Sequence, residues 1–206
     1  LRSALPCRWD EPPVTVLVLS DDLPVCEFRH RWVEWDQLSP SFALAVVAAE
    51  DQRFLQHAGI DFASIRDSIE DAQAGDRLRG ASTITPQVGK TIYLWRGRSW
   101  LRKGLEAYLA LWIDLLWPKR RIVETYLNIA ELGPGIYGVA AATETYFGKG
   151  VGNVRDHEAA LLAAVLPNPL RLDAGNPSSY VRERQRWIIG QMQRLRREGS
   201  LSALWR

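Results

Sequence analysis

The chain has 206 residues, 47% hydrophobic and 24% charged, with a formal net charge of +2. That is globular composition with enough length for a real core, in one domain or one large lobe with a small one attached. The charge gives no reason to expect a nucleic-acid partner. Only four lysines (Lys90, Lys103, Lys119, Lys149) stand against 22 arginines, so each retained lysine is worth weighing. Of nine tryptophans, four (Trp95, Trp100, Trp112, Trp117) fall within 23 residues, beside Tyr93 and Tyr108. Such a cluster suits either a Trp-rich core or a membrane–water interface. Cys7 and Cys26 could pair in an oxidising compartment or remain buried thiols. The longest apolar run, Leu105 to Trp117, carries Glu106 and Asp114 and is shorter than the ~20 residues that cross a bilayer. The chain begins at Leu1 rather than Met, as expected of a fragment that has lost an anchor or signal segment.

In chain order, Val14 to Leu19 reads as a strand between Pro12-Pro13 and Asp21-Asp22. Helix punctuation is legible from residue 39. Ser39 as N-cap with Pro40 opens an apolar helix running from Ser41 toward Arg53. Asp61 caps a second, with Phe62, Ile65, Ile69 and Ala72 at helical spacing. Ser99 caps a helix to Trp117, where Pro118 breaks it and starts another that turns Ile122, Val123, Tyr126, Leu127 and Ala130 inward and stops at Gly133-Pro134. A helix over Val139–Phe147 ends at Gly148, one capped by Asp156 stops before Pro167, and a last one spans about Tyr180 to Arg197. Val181, Ile188, Met192 and Leu195 line one side of that last helix, with arginines on the other. The prediction is a mainly helical protein without repeats or a βαβ rhythm.

Four clusters could carry chemistry. Glu50 and Asp51 follow eight apolar residues, so a carboxylate there is partly desolvated and shifted toward the range of a general base. If the helix continues, Glu50, Phe54 and His57 share a face. Taken alone, the pair is better read as a helix end meeting solvent. Arg102 and Glu106 are neighbours four apart, either an exposed pair worth about 0.3–0.5 kcal/mol or a cationic site for an anionic leaving group. Gly80 to Lys90 places hydroxyls at a helix start and a lysine one or two turns in, which is a phosphate cradle or merely a cap. Lys149 follows the terminator Gly148, where it suits the helix dipole. The three histidines (His30, His57, His157) are scattered, and neither a paired zinc motif, a Gly-x-Ser-x-Gly elbow nor a P-loop is present.

In order, these clusters resemble glycosyltransferase family 51, which comprises the glycosyltransferase modules of class A penicillin-binding proteins and the monofunctional peptidoglycan glycosyltransferases. Glu50-Asp51-Gln52-Arg53-Phe54 with His57, Gly59 and Asp61 is similar to its first motif, and Gly80-Ala81-Ser82-Thr83-Ile84-Thr85 through Lys90 to its second. Arg102-Lys103 with Glu106 resembles the third, and Lys119 through Glu124-Thr125-Tyr126-Leu127-Asn128 the fourth. Gly135-Ile136-Tyr137-Gly138 through Tyr146-Phe147-Gly148-Lys149 resembles the fifth. The likeness covers roughly residues 31–197, and the end near Arg206 points to the monofunctional branch. Pro86 stands where the family usually has Gln, Thr91 for Asn, Asp114 for Glu and Pro118 for Ser.

The resemblance implies a lysozyme-like helical head over residues 39–206, a small membrane-touching jaw around 92–117, and a membrane-proximal segment over 1–38. It implies polymerisation of lipid II with inversion and release of polyprenyl pyrophosphate at the outer face of the bacterial inner membrane. Glu50 would be the base and Glu106 the second catalytic carboxylate. Asp51, Phe54, His57, Thr83, Gln87, Lys90, Arg102 and Lys149 would bind substrate. A divalent cation (Mg²⁺ or Mn²⁺) suits a pyrophosphate. Expected partners are lipid II, the growing lipid-linked glycan, the membrane surface, and division or wall-synthesis proteins. The rivals are a lysozyme-like lytic enzyme, for which Lys90, Arg102 and Lys149 together have no purpose, and a non-catalytic lipid II-binding scaffold.

Overall fold

The computed structural model describes residues 29–61, 66, 83–94, 99–199 and 201–205. Its helices are α1 (Pro40–Glu50), α2 (Ile84–Tyr93), α3 (Trp100–Leu116), α4 (Lys119–Ile129), α5 (Gly138–Phe147), α6 (Asp156–Val165) and α7 (Ser179–Glu198). A small sheet holds β1 (Arg29–His30), β2 (Glu131–Gly133) and β3 (Ile136–Tyr137). The architecture is mainly α, the class expected. The strand over Val14–Leu19, the Asp61-capped helix, and Cys7 and Cys26 lie outside the described residues.

Helix α1 is the axis of the core. Ser39 accepts from the Ser41 N–H, Pro40 occupies the first helical position, and every residue from Ser41 to Ala48 is buried. A helix apolar on all sides must be enclosed by others, and α4, α6 and α7 pack around it. The helix does not run on to Arg53. It ends at Glu50, and Asp51 leaves helical geometry at φ −160°, ψ 75°. Glu50, Phe54 and His57 therefore share no helical face; a turn from Asp51 to His57 carries the last two. Asp156 is likewise the first residue of α6 rather than its cap, a place held by Arg155.

The sheet was not predicted, because two- and three-residue strands leave no periodic signal. Its order is β1-β3-β2, with β1 parallel to β3 and β2 antiparallel. Residues before 39 also pack against this helical core. Val33 and Trp35 are buried, and the Asn128 amide takes the Val33 N–H at 2.8 Å and donates to its carbonyl at 2.9 Å. Glu124 accepts the Trp35 N–H at 2.7 Å. At Gly138, φ is +78° and a Cβ would lie 2.5 Å from the Asn128 carbonyl oxygen, so only glycine lets the sheet turn into α5 there.

Helices α2 and α3 pack side by side. At Gly89 a Cβ would meet Ile113 Cδ1 and Leu109 Cβ, both at 3.3 Å, which marks how closely the two approach. The inward face of α3 carries Glu106, Ala110 and Ile113. Its other face exposes Trp100, Leu101, Tyr108, Leu111, Trp112, Leu115 and Leu116. This settles the tryptophan question for Trp100 and Trp112, which are surface residues, whereas Trp35 belongs to the core. No helix among the described residues is long and apolar enough to cross a membrane.

Candidate active site

Glu50 is the last residue of α1, and three elements converge on it. From α2, Gln87 Nε2 donates to Glu50 Oε2 at 2.8 Å. From α4, the Tyr126 hydroxyl donates to Gln87 Oε1 at 3.0 Å. From α7, Arg184 Nη2 lies 3.8 Å from Glu50 Oε1. Burial raises the Glu50 pKa above the ordinary glutamate range, while the Gln87 bond and the Arg184 charge pull it back and neighbouring Asp51 adds to the rise. The result is a shielded carboxylate whose pKa stays raised although an arginine stands 3.8 Å away.

Asp51 points elsewhere. Its two oxygens accept from His57 Nε2 at 2.9 and 3.0 Å, and Oδ2 also takes the Ile84 N–H at 3.3 Å. Thr83 donates to the Gly59 carbonyl at 3.0 Å. Phe54 is fully buried, with Lys119 Nζ 4.5 Å above its ring and the His57 ring edge-on. Asp51, Phe54, His57 and Thr83 were expected to touch substrate. In the structure they bond to or pack on one another and the backbone, and they lash the turn after α1 to the start of α2. That bracing sets where Glu50 and Gln87 meet.

The cations fall into three groups. Lys90, on α2, has no bonded partner among the described residues and is half-buried. On α3, Arg102 and Lys103 both bind Glu106, Lys103 at 3.0 Å, and the carboxylate is buried while Lys103 is well exposed. Lys149 Nζ is paired with Glu158 Oε1, whose other oxygen takes the Arg155 N–H at 3.0 Å. Burial pushes the Glu158 carboxyl up, but the Arg155 and Lys149 bonds outweigh it and leave its pKa lowered. Glu106 and Lys149 thus do not touch Glu50. Glu106 acts as the anchor of two cations.

One set of possible metal ligands occurs among the described residues: Asp51, His57 and Asp61, within 4.8 Å of one another. It does not suit Mg²⁺, which asks for oxygen ligands in octahedral array. Both Asp51 oxygens are occupied by the imidazole N–H, and the Lys119 ammonium is bonded to the His57 carbonyl beside them.

Two residues at Glu50 escaped the sequence reading. Tyr126 stands among the inward-facing residues and in the fourth family motif, but no site role was expected of it. Arg184 was counted with the solvent-facing arginines, yet it stands three after Val181 and four before Ile188, both fully buried. That spacing is the signal that places it on the inner side of α7.

Among the described residues, a largely shielded glutamate thus meets an amide held by a phenol and stands near an arginine, with lysine and arginine on two adjacent helices. The chain belongs to the transglycosylase family, glycosyltransferase family 51, whose model matches residues 21–193. It is 50% identical over 199 residues to the biosynthetic peptidoglycan transglycosylase of Shewanella oneidensis, covering 95% of this chain and 85% of that one. It is 53% identical over 180 residues to the protein of the same name from Cronobacter sakazakii (85% and 75% covered), and 46% over 194 residues to that of Stutzerimonas stutzeri (91% and 80%).

Proposed function

We propose that Glu50 is the general base with which this peptidoglycan glycosyltransferase joins lipid II units into glycan. The observation that carries the reading is the Glu50 carboxylate itself, desolvated at the end of α1 and hydrogen-bonded by Gln87. Glu50 takes the proton from the acceptor sugar's 4-hydroxyl as that oxygen attacks the donor's anomeric carbon. The anomeric C–O bond breaks with inversion, and the electron pair leaves on polyprenyl pyrophosphate. Lys90 and the Arg102–Lys103 pair anchored by Glu106 supply fixed positive charge for that leaving group, with Lys149 as a further cation. A divalent cation would be held by the pyrophosphate oxygens and would neutralise charge there.

The exposed apolar face of α3 supports contact with the membrane that holds the lipid substrate, and so a place at the outer side of the bacterial inner membrane. Residues 92–117 thus remain our candidate for the jaw, apart from the helical head. Division or wall-synthesis proteins are proposed partners on function alone. The test is polymerisation of labelled lipid II by wild type and Glu50→Gln side by side. Glu50→Gln is expected to make no polymer while keeping the fold and lipid II binding; polymer at the wild-type rate overturns the role of Glu50. Wild-type protein that binds lipid II but never extends it would favour the scaffold.

A further inference from the structure

Tyr126 lies in the interior, where an unmade hydrogen bond is costly. Among the described residues its hydroxyl has one partner, Gln87 Oε1 at 3.0 Å. A carboxamide has one accepting end and one donating end. By occupying the carbonyl, Tyr126 turns the NH₂ toward Glu50 Oε2, which it meets at 2.8 Å. Arg184 Nη2, at 3.8 Å from Oε1, is beyond hydrogen-bond reach. Oε1 is the oxygen left for a sugar hydroxyl.

We propose that Tyr126 is a positioning residue for glycosyl transfer, fixing the Glu50 carboxylate through Gln87 so that Oε1 is the oxygen that takes the proton. This rests on the reading of Glu50 as base. The groups that face Glu50 are Gln87 from α2, Tyr126 from α4, Arg184 from α7 and adjoining Asp51. Burial first, and the Glu50 charge second, hold the phenol protonated well above its usual range, so it remains a donor at working pH. A phenylalanine keeps the ring and removes only the donor. The Gln87 amide is then free to turn its carbonyl toward the carboxylate, which disfavours the charged form.

The experiment is a double-mutant cycle of Tyr126→Phe and Gln87→Ala, reading kcat, KM and the pH profile with labelled lipid II, and with Glu50→Gln run alongside. Tyr126→Phe is expected to lower kcat about tenfold, the factor one hydrogen bond of ordinary net strength carries. KM should stay within about twofold, and the acid limb should move to higher pH. In the Gln87→Ala background the same change should cost less than about twofold more, because its route to Glu50 is already cut. Wild-type kcat and acid limb in Tyr126→Phe, or an equal loss in both backgrounds, overturns the proposal. Activity retained by Glu50→Gln would instead sink the base assignment on which it rests.

Discussion

Lys119 and His57 are 62 residues apart in sequence, yet the Lys119 ammonium donates to the His57 backbone carbonyl at 2.7 Å. The same ammonium binds Asp114 at 2.6 Å and caps the Phe54 ring. One lysine thus joins the end of α3, the start of α4 and the turn that follows Glu50. Lys119→Met should be costly, because it leaves a nearly buried Asp114 carboxylate without its cation. A loss of about 3 kcal/mol is expected, or a fall of roughly 6–12 °C in thermal midpoint for a domain of this size. Calorimetry checks it, and a midpoint within about 2 °C of wild type would show that the bracket carries little.

The pH dependence follows from Glu50. Its pKa in the folded protein is raised, chiefly by burial, above the unfolded value. The native state therefore favours the protonated form: the stability tied to that proton is present below the unfolded glutamate pKa and is lost as pH rises through the folded one. A neutral isostere escapes that loss. Glu50→Gln should melt higher than wild type at neutral pH, and the gap should close as pH falls below the ordinary glutamate range. Melting curves across that range decide it. In activity the same group sets an acid limb above the ordinary glutamate range, since only the carboxylate accepts a proton.

What the sequence made legible tracks the range of the interaction. Ser39-Pro40, Ser99, Pro118 and Gly148 act on their immediate neighbours, and each marks a helix end where expected. The burial of α1 follows from the eight apolar residues before Glu50. The fates of Asp51, His57 and Thr83 were not legible, because their partners lie on another helix start or in a turn's backbone. The α1 end was misplaced for a related reason: Asp51 leaves the helix so that its carboxylate can take the Ile84 N–H, a tertiary contact that overrides local propensity. Glu124 and Asn128, read as a family motif, prove to be the ties that hold residues 33–35 to α4.

Pro86 is the sharpest departure from the family pattern, and the structure accommodates it. It is the third residue of α2, and the first backbone bond of that helix runs from Gln87 N–H to Thr83 C=O, one residue later. No donor is missed in a first turn. Pro86→Gln should therefore lower stability only slightly, by about 0.4–1 kcal/mol through the freer unfolded chain. If the amide that the family usually carries there contacts substrate, the same variant should lower the KM for lipid II. Steady-state kinetics and a melting curve on one preparation test both, and a large stability gain would contradict the backbone argument.

Gly59 links the turn after Glu50 to α3. Its φ is +77°, and a Cβ there would lie 2.6 Å from the Ala110 carbonyl oxygen. Gly59→Ala must move either that turn or the helix, at a cost of about 2 kcal/mol or more. Because Thr83 donates to the Gly59 carbonyl, the displacement reaches the start of α2 and so Gln87. The variant should lose kcat out of proportion to its stability when assayed well below its midpoint. A variant as stable and active as wild type would mean the turn is slack.

The outer face of α3 gives the last test. Leu101, Tyr108, Trp112 and Leu115 follow one another at spacings of seven, four and three, a single apolar stripe, and Leu115 is 73% exposed. Exposed aliphatic and tryptophan side chains in one stripe cost solubility without contributing to the core, so they are expected to be covered in use. A lipid surface covers them while leaving Glu106 and the cations it anchors on the opposite side of the helix. Replacing Trp112 and Leu115 together by serine removes about 1 kcal/mol of interfacial burial each, so binding to anionic lipid vesicles should weaken roughly 30-fold. The thermal midpoint should move by no more than about 2 °C, because Leu115 is exposed and Trp112 packs edge-on against the exposed Tyr108 ring rather than in the core. Turnover of a water-soluble, short-chain lipid II analogue should be retained while turnover of vesicle-embedded substrate falls, which separates a membrane contact from a catalytic one. Unchanged vesicle binding by the double variant would leave the stripe without a membrane role.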